Sequence, residues 1–299
     1  VDLTPRSSRS RPTLPRRLAF EAIGTRWEID TAETIGADLE SELHETIARF
    51  DATWSRFRDD SLVADIARRP GSWVFPAEAP ALFDLYRRLY EATDGAVSPL
   101  VGRALERLGY DRAYSLRPTG RPGPVPAWDE AVAWDGTTLT TLRPVTLDVG
   151  AAGKGYLVDL VGELLVAGGA RDVVVDASGD IRRWGEGSIR VALEHPADPT
   201  KAIGVVNLRD GAICASASNR RVWGDGLHHV IDTTTGLPTS AVIATWAIAP
   251  TALVADGVAT ALFFGDSERL AGEFGATFVR VLSTGRVEFS PDLDGEMFL

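Results

Sequence analysis

The sequence predicts an α+β fold, and three observations carry that prediction. Segments rich in β-branched residues and bounded by Gly, Asp or Pro are interspersed with segments whose apolar residues recur at helical spacing. The two kinds do not alternate in a regular βα series, which argues against a doubly wound sheet, and no internal repeat of fixed period is present. At 299 residues, with 44% hydrophobic and 24% charged residues, the chain suits an ordinary globular protein with room for a sizeable core.

Residues 1–17 are rich in Arg, Ser and Pro and lack the apolar run of a signal peptide or membrane helix, so a disordered arm is expected there, with a single folded unit over 18–299. A strand is expected at about 18–31. Ile35, Leu39, Leu43, Ile47 and Phe50 then recur at near-helical spacing, on a helix whose His44 reads as solvated surface. Leu82, Phe83, Leu85, Tyr86, Leu89 and Tyr90 mark a second helix, ending at the turn Thr93-Asp94-Gly95. Residues 117–126, with four prolines and two glycines, form the best internal boundary and read as joining two lobes. A short strand near 145–149 leads through a glycine-rich turn into a helix carrying Tyr156, Leu157, Leu160, Val161, Leu164 and Leu165, closed by Gly168-Gly169. Strands are expected at 172–177, 188–194, 202–208 and 241–249, and 211–226 reads as a loop. A helix from near Thr251 to about Phe264 and a strand pair within 277–289 complete the chain.

A net charge of -11 argues against a nucleic-acid surface or an anionic membrane as main partner. One cysteine, Cys214, excludes an internal disulfide framework and a thiolate metal cluster. The chain opens on Val1 and its one methionine is Met297, so the native start and compartment stay open. Cytoplasmic is the default reading of the visible residues, with an exported or lipid-anchored form as the alternative. No coiled-coil pattern speaks to oligomeric state.

Three constellations point to chemistry. The segment Asp148-Val149-Gly150-Ala151-Ala152-Gly153-Lys154-Gly155-Tyr156 sets glycines, a carboxylate and a lysine at the mouth of a helix, where exposed backbone N–H groups suit phosphate. Lys154 is one of two lysines among 31 Lys and Arg residues, which favours a residue-specific role. The loop is not a Walker loop, because Asp148 stands where the first glycine belongs and Gly155 where a Ser or Thr belongs. Nor is it a dinucleotide fingerprint, since its glycine spacing is reversed. Asp256 and Thr260, four apart on one helix face, pair a carboxylate with a hydroxyl, as a hard cation such as Mg²⁺ requires. A backbone carbonyl of the glycine loop would complete that set; the competing reading makes Asp256 a helix cap and Thr260 ordinary packing. His228-His229-Val230-Ile231-Asp232 sends two histidines to opposite faces of a short strand, so that one can face a site while the other is solvated. A His suits general-base work near neutral pH, and a structural histidine is the competing reading. Asp232 either orients a ring or caps the turn.

In their order and flanking residues these segments resemble the ApbE family of flavin transferases, the FAD:protein FMN transferases, over nearly the whole chain. Residues Leu147 to Tyr156 are similar to that family's Leu-Asp-Leu-Gly-x-x-Ala-Lys-Gly-Tyr, with Asp159 following at the usual place. Ala255-Asp256-Gly257-Val258-Ala259-Thr260-Ala261-Leu262 resembles Ala-Asp-Ala-x-Ala-Thr-Ala-Leu, and His229-Val230-Ile231-Asp232 with Thr235-Gly236-Leu237-Pro238 resembles His-x-Ile-Asp-Pro-x-Thr-Gly-x-Pro. Ile23-Gly24-Thr25, Ser55-Arg56-Phe57, Asp94-Gly95, Leu108-Gly109-Tyr110-Asp111 and Ser178-Gly179-Asp180 resemble further family segments.

The resemblance implies mixed, mainly antiparallel sheets with packed helices, and two lobes with a flavin cleft between them. It implies Mg²⁺-dependent transfer of FMN from FAD to a Ser or Thr hydroxyl of an acceptor protein, with release of AMP. An FAD pyrophosphatase yielding FMN and AMP, or a non-catalytic FAD carrier, is the alternative. Asp148 and Lys154 would contact the FAD. Ser55, Arg56, Phe57 and Ile231 would line its pocket, with Phe57 or Tyr156 stacked on a ring. The Ala151 carbonyl, Asp256 and Thr260 would hold Mg²⁺, and His229, preferred to His228, would be the base. No acceptor motif occurs in the chain itself, and the acceptor's identity stays open.

Overall fold

The structure is a computed structural model and describes residues 16–298. Of the expected arm, residues 1–15 lie outside the described residues, whereas Arg16 and Arg17 open the first strand. The strand expected at 18–31 is a hairpin, β1 (Arg16–Ala22) and β2 (Thr25–Thr31). Ile23 (φ 45°) and Gly24 (φ 76°) reverse the chain in left-handed conformations. A β-branched residue at positive φ is no ordinary turn signal, so the sequence pattern ran through it.

Helix α1 (Ala37–Trp54) buries Leu43, Ile47, Phe50 and Trp54, spaced four, three and four residues apart, and leaves His44 exposed as expected. Next come α2 (Leu62–Arg68), β3 (Gly71–Val74) and α3 (Ala79–Ala92), with Leu82, Phe83, Leu85, Tyr86 and Leu89 of α3 buried. A 3₁₀ turn at Pro99–Val101 precedes α4 (Gly102–Arg107). Residues 117–126 form no helix or strand; beyond them lie α5 (Trp128–Ala131), β4 (Val132–Trp134) and β5 (Thr138–Thr141). The small antiparallel sheet β3-β5-β4 closes over a cluster of Trp54, Phe75, Phe83 and Trp134. The strand expected at 145–149 is absent as such: Asp148 N–H donates to the Pro99 carbonyl (2.8 Å), and the segment joins no ladder.

The second half contains α6 (Gly153–Ala167), β6 (Val173–Asp176), β7 (Asp180–Trp184), β8 (Ile189–His195), β9 (Asp198–Leu208) and β10 (Gly211–Ala217). Two ribbons follow, β11 (Val222–Trp223) with β12 (Leu227–His228), and β13 (Ile231–Asp232) with β14 (Leu237–Pro238). The chain ends through β15 (Val242–Ala249), α7 (Ala252–Ala261), α8 (Ser267–Phe274), β16 (Thr277–Leu282), β17 (Val287–Phe289) and β18 (Gly295–Met297). Eight strands form one antiparallel sheet in the order β1-β2-β6-β7-β10-β15-β16-β17. Its inner face packs on α1, α6 and α7, and its outer face on the sheet β18-β9-β8 through Leu193, Val206, Ile213 and Trp246.

Residues 211–217 are therefore a central strand and not part of a loop. Ala212 and Cys214 of β10 face the helices while Ile213 and Ala215 face the outer sheet. A strand covered on both faces carries no polar alternation, and the small residues of Gly-Ala-Ile-Cys-Ala-Ser-Ala gave no length of apolar run to replace it.

Helices α6 and α7 cross at Gly155, where a Cβ would sit 2.2 Å from the Ala252 carbonyl and 2.6 Å from the Asp256 Cβ. The third glycine of the glycine loop thus permits helix contact. Gly155→Ala is expected to cost about 1–3 kcal/mol by overpacking, read as a fall of several degrees in the thermal midpoint. An unchanged midpoint would show that the helices separate without cost.

Candidate active site

A cleft of about 1170 Å³ lies against the central strands β7, β10 and β15, beside the N-terminus of α6. Its walls combine the end of α1, the turn at 96–101, residues 148–154, the start of β7, the end of β10 and the His229 turn. Asp159 fixes how α6 and α7 meet there. Its carboxylate accepts from the Ala252 (2.9 Å) and Leu253 (2.8 Å) N–H groups and pairs with Arg182, so it holds the N-terminus of α7 from α6.

That attachment brings the glycine loop against α7. Thr260 Oγ1 donates to the Ala151 carbonyl (3.3 Å), and the Ala151 N–H donates to the Tyr86 hydroxyl (3.2 Å), which orients the peptide. Asp256 Oδ2 accepts from Gly155 N–H (2.9 Å), one helical turn from Thr260. Asp256 is no helix cap: Thr251 fills that role, accepting from Val254 N–H (3.3 Å). Burial, reinforced by the negative charge of Asp180, pushes the Asp256 carboxyl well above the usual range despite Lys154 and the Gly155 N–H. Among the described residues no three His, Cys, Asp or Glu side chains converge as a metal cage. The set is instead one carboxylate, one hydroxyl and one carbonyl, the all-oxygen chemistry of a hard cation, with a buried excess of negative charge to match it.

Lys154 stands in the first turn of α6, its ammonium 2.7 Å from Asp180 Oδ2 and donating to the Ala177 carbonyl (2.8 Å). Burial lowers its pKa, but the charges of Asp180 and Asp256 outweigh burial and raise it, so the side chain stays protonated. Asp148 is tied to the opposite wall. Its Oδ1 accepts from Gly150 N–H (2.8 Å) and its Oδ2 from Arg56 Nε. Burial pushes this carboxyl up, yet the Arg56 charge and these hydrogen bonds hold it below the usual range. The Arg56 guanidinium lies 4.2 Å from the Phe57 ring centroid and donates to the Tyr110 carbonyl (2.9 Å). Its Nη2 is buried without a partner.

Ser55, Phe57 and Ile231 all line the cleft, and Phe57 stacks on Tyr114 at 5.0 Å. Tyr156 does not. Its ring packs edge-on against Phe50 and its hydroxyl donates to the Glu78 carbonyl (2.6 Å), so it belongs to the core and offers no face to a ligand. Its place four residues past Ala152 turns it beneath the loop, on the buried side of α6.

The histidines divide as expected in direction but not in environment. His228 is buried and not solvated: its Nδ1 accepts from Val230 N–H (3.3 Å), which leaves the proton on Nε2 for the Thr239 carbonyl (2.8 Å). His229 lines the cleft, and its Nδ1 is buried without a partner. Burial, with the nearby charges of Arg221 and His228, lowers its pKa to about 4. Asp232 caps the turn, accepting from the Thr234 N–H (2.9 Å) and hydroxyl (2.6 Å), and orients no ring.

Every residue anticipated for the site except Tyr156 therefore faces one cleft. Asp180, Tyr110, Tyr114 and Arg221 also line or floor it and were assigned no role from sequence. Arg221 donates to the Tyr110 hydroxyl (2.7 Å). Asp180 and Tyr110 lie in segments singled out for their resemblance; Tyr114 and Arg221 carry no local signal.

Comparison with known proteins bears on the family and the fold. A family model described as the ApbE family matches residues 23–274. The FAD:protein FMN transferase of Rhodobacter capsulatus is 27% identical over 300 residues, covering 92% of this chain; the chain spans 57% of that relative's length. The FAD:protein FMN transferase of Vibrio cholerae is 27% identical over 286 residues, with 87% of this chain and 84% of that protein covered. Among solved structures, the ApbE protein of Thermotoga maritima superimposes with a TM-score of 0.78 at 26% identity, covering 93% of this chain and 97% of that one. The Vibrio cholerae flavin transferase ApbE superimposes at 0.76 with 21% identity, over 93% of this chain and 97% of that one, which speaks to the fold alone. The expected mixed, mainly antiparallel α+β fold is the one found.

Proposed function

This chain belongs to the ApbE family, and from that premise we propose that it transfers FMN from FAD to a Ser or Thr hydroxyl of an acceptor protein, releasing AMP. The observation that carries the proposal is the convergence on one cleft of a fixed lysine, an all-oxygen cation set and a neutral imidazole.

In this reading the acceptor hydroxyl oxygen attacks the FMN-side phosphorus of the FAD pyrophosphate. A new P–O bond forms, the bond from that phosphorus to the bridging oxygen breaks, and AMP departs with the electron pair. The hydroxyl proton passes to His229, which lines the cleft with its ring held neutral by burial. Lys154 brings a permanent positive charge to the pyrophosphate, and Asp148, fixed by Arg56, orients the bound nucleotide. Ser55, Phe57 and Ile231 shape the pocket, with Phe57 held in its wall between the Arg56 guanidinium and Tyr114. Asp256, Thr260 and the Ala151 carbonyl would hold Mg²⁺, which when bound supplies further charge neutralisation to the phosphates. Catalysis is then chiefly positioning and electrostatics.

The test is mass spectrometry of an acceptor fragment bearing a Ser or Thr flavinylation motif after incubation with the protein, FAD and Mg²⁺, with free FMN and AMP assayed in parallel. A gain of one FMN with stoichiometric AMP is the expected result. Free FMN and AMP with unmodified acceptor would replace transfer by hydrolysis, with water as nucleophile, and intact FAD would leave a carrier.

A further inference from the structure

Lys154 is held from below. Asp180 is fully buried, and the ammonium of Lys154, 2.7 Å from its Oδ2, is the cation against it; the contact is an ion pair, and among the described residues neither carboxylate oxygen has an aligned hydrogen-bond partner. The turn before β7 aims this carboxylate inward, with Ser178 (φ 54°) and Gly179 (φ 101°) in left-handed conformations. An ammonium has three N–H donors. The Ala177 carbonyl accepts one of them, Asp180 holds the charge at 2.7 Å, and the lysine side chain remains 27% exposed on the cleft.

A second carboxylate competes for the same ammonium. Asp256 accepts from the N–H of Gly155 (2.9 Å), the residue after Lys154, so its charge stands beside the same ammonium and beside Asp180. A lysine free to swing would pair with Asp256 and neutralise the group assigned to the cation.

We propose that Asp180 is a positioning residue that anchors the Lys154 ammonium to the cleft floor, keeping it off Asp256 and leaving one N–H for a phosphate oxygen of the dinucleotide. This inference rests on the flavin-transfer reading of the cleft. Its mechanism differs from simple burial of an ion pair, which is often no more stabilising than an apolar pair of similar volume. The effect of Asp180 on FAD binding without Mg²⁺ passes through Lys154, so that effect vanishes when Lys154 is gone.

A double-mutant cycle on FAD binding, followed by flavin fluorescence without Mg²⁺ and without acceptor, tests that dependence. Asp180→Asn and Lys154→Met are each expected to weaken binding roughly 10–100-fold, and the double variant no further than Lys154→Met alone. Multiplying losses would overturn the proposal. Because a single variant can fail to fold, the unaltered protein provides a second test. It has two lysines, Lys154 and Lys201, so selective ¹³C labelling of lysine yields two side-chain signals. The Lys154 signal is expected to be rigid before FAD is added and to shift on titration. A signal as averaged as that of exposed Lys201 would overturn the anchoring. Neither measurement requires turnover, so failure here is distinguishable from failure of the transferase assay.

Discussion

Asp256→Asn is expected to lower FMN transfer by on the order of 10²–10³-fold and to abolish its response to Mg²⁺. The substitution keeps the volume and an oxygen for the Gly155 N–H, so the α6–α7 contact survives while the charge is removed. The fold is not expected to suffer. Asp256 and Asp180 repel each other across a buried site with Lys154 as the nearby cation, and removing one negative charge relieves that repulsion. An unchanged or higher thermal midpoint together with lost activity would therefore separate a role in the reaction from a role in folding. Thr260→Val should weaken the Mg²⁺ response in the same direction, since it removes the hydroxyl that meets the Ala151 carbonyl. Titration calorimetry with Mg²⁺ and a rate assay at several Mg²⁺ concentrations would check both. Retained Mg²⁺ stimulation in Asp256→Asn would sink the proposed cation set.

The cation set was legible in the sequence because its parts obey local rules. Asp256 and Thr260 share a helix face by their spacing, and the composition of the glycine loop marks exposed backbone. What joins them is not local. Asp159, buried in α6, captures the first turn of α7 across 93 and 94 residues of sequence, and no pattern within either helix announces that bond. Asp180 is hidden for a related reason: its importance lies in which buried cation it meets, and a lone aspartate after Ser-Gly reads as a turn. The Ile23 turn and β10 were missed where tertiary context overrode propensity, a strained β-branched turn in one case and a strand buried on both faces in the other. Tyr156 failed differently. Its aromatic ring beside a phosphate-like loop suggested stacking, but helical geometry turns it away from the cleft into the core.

His229→Gln is expected to reduce transfer about 10²–10⁴-fold, the usual worth of a positioned general base, while leaving FAD affinity nearly unchanged. The pH dependence makes the assignment sharper. An ordinary histidine with a pKa of 6.5 would lose its basic form below neutrality, but burial lowers that of His229 to about 4. Its neutral form persists through the range from pH 7 to about 5, so the acid limb of kcat/KM attributable to it should lie near pH 4 and not near 6.5. The stability consequence has the opposite cost. Between about pH 6.5 and 4 the unfolded chain takes up a proton that the folded one refuses, so this group makes the fold progressively less stable as pH falls through that window. His229→Gln should remove that slope, so the wild-type denaturation midpoint should fall relative to the variant's between pH 7 and about 4. A limb contributed by Asp256 would persist in the variant's residual activity, which separates the two groups. Full transfer by His229→Gln, or a wild-type acid limb at 6.5 that disappears in the variant, would remove His229 from the role its place in the cleft suggests.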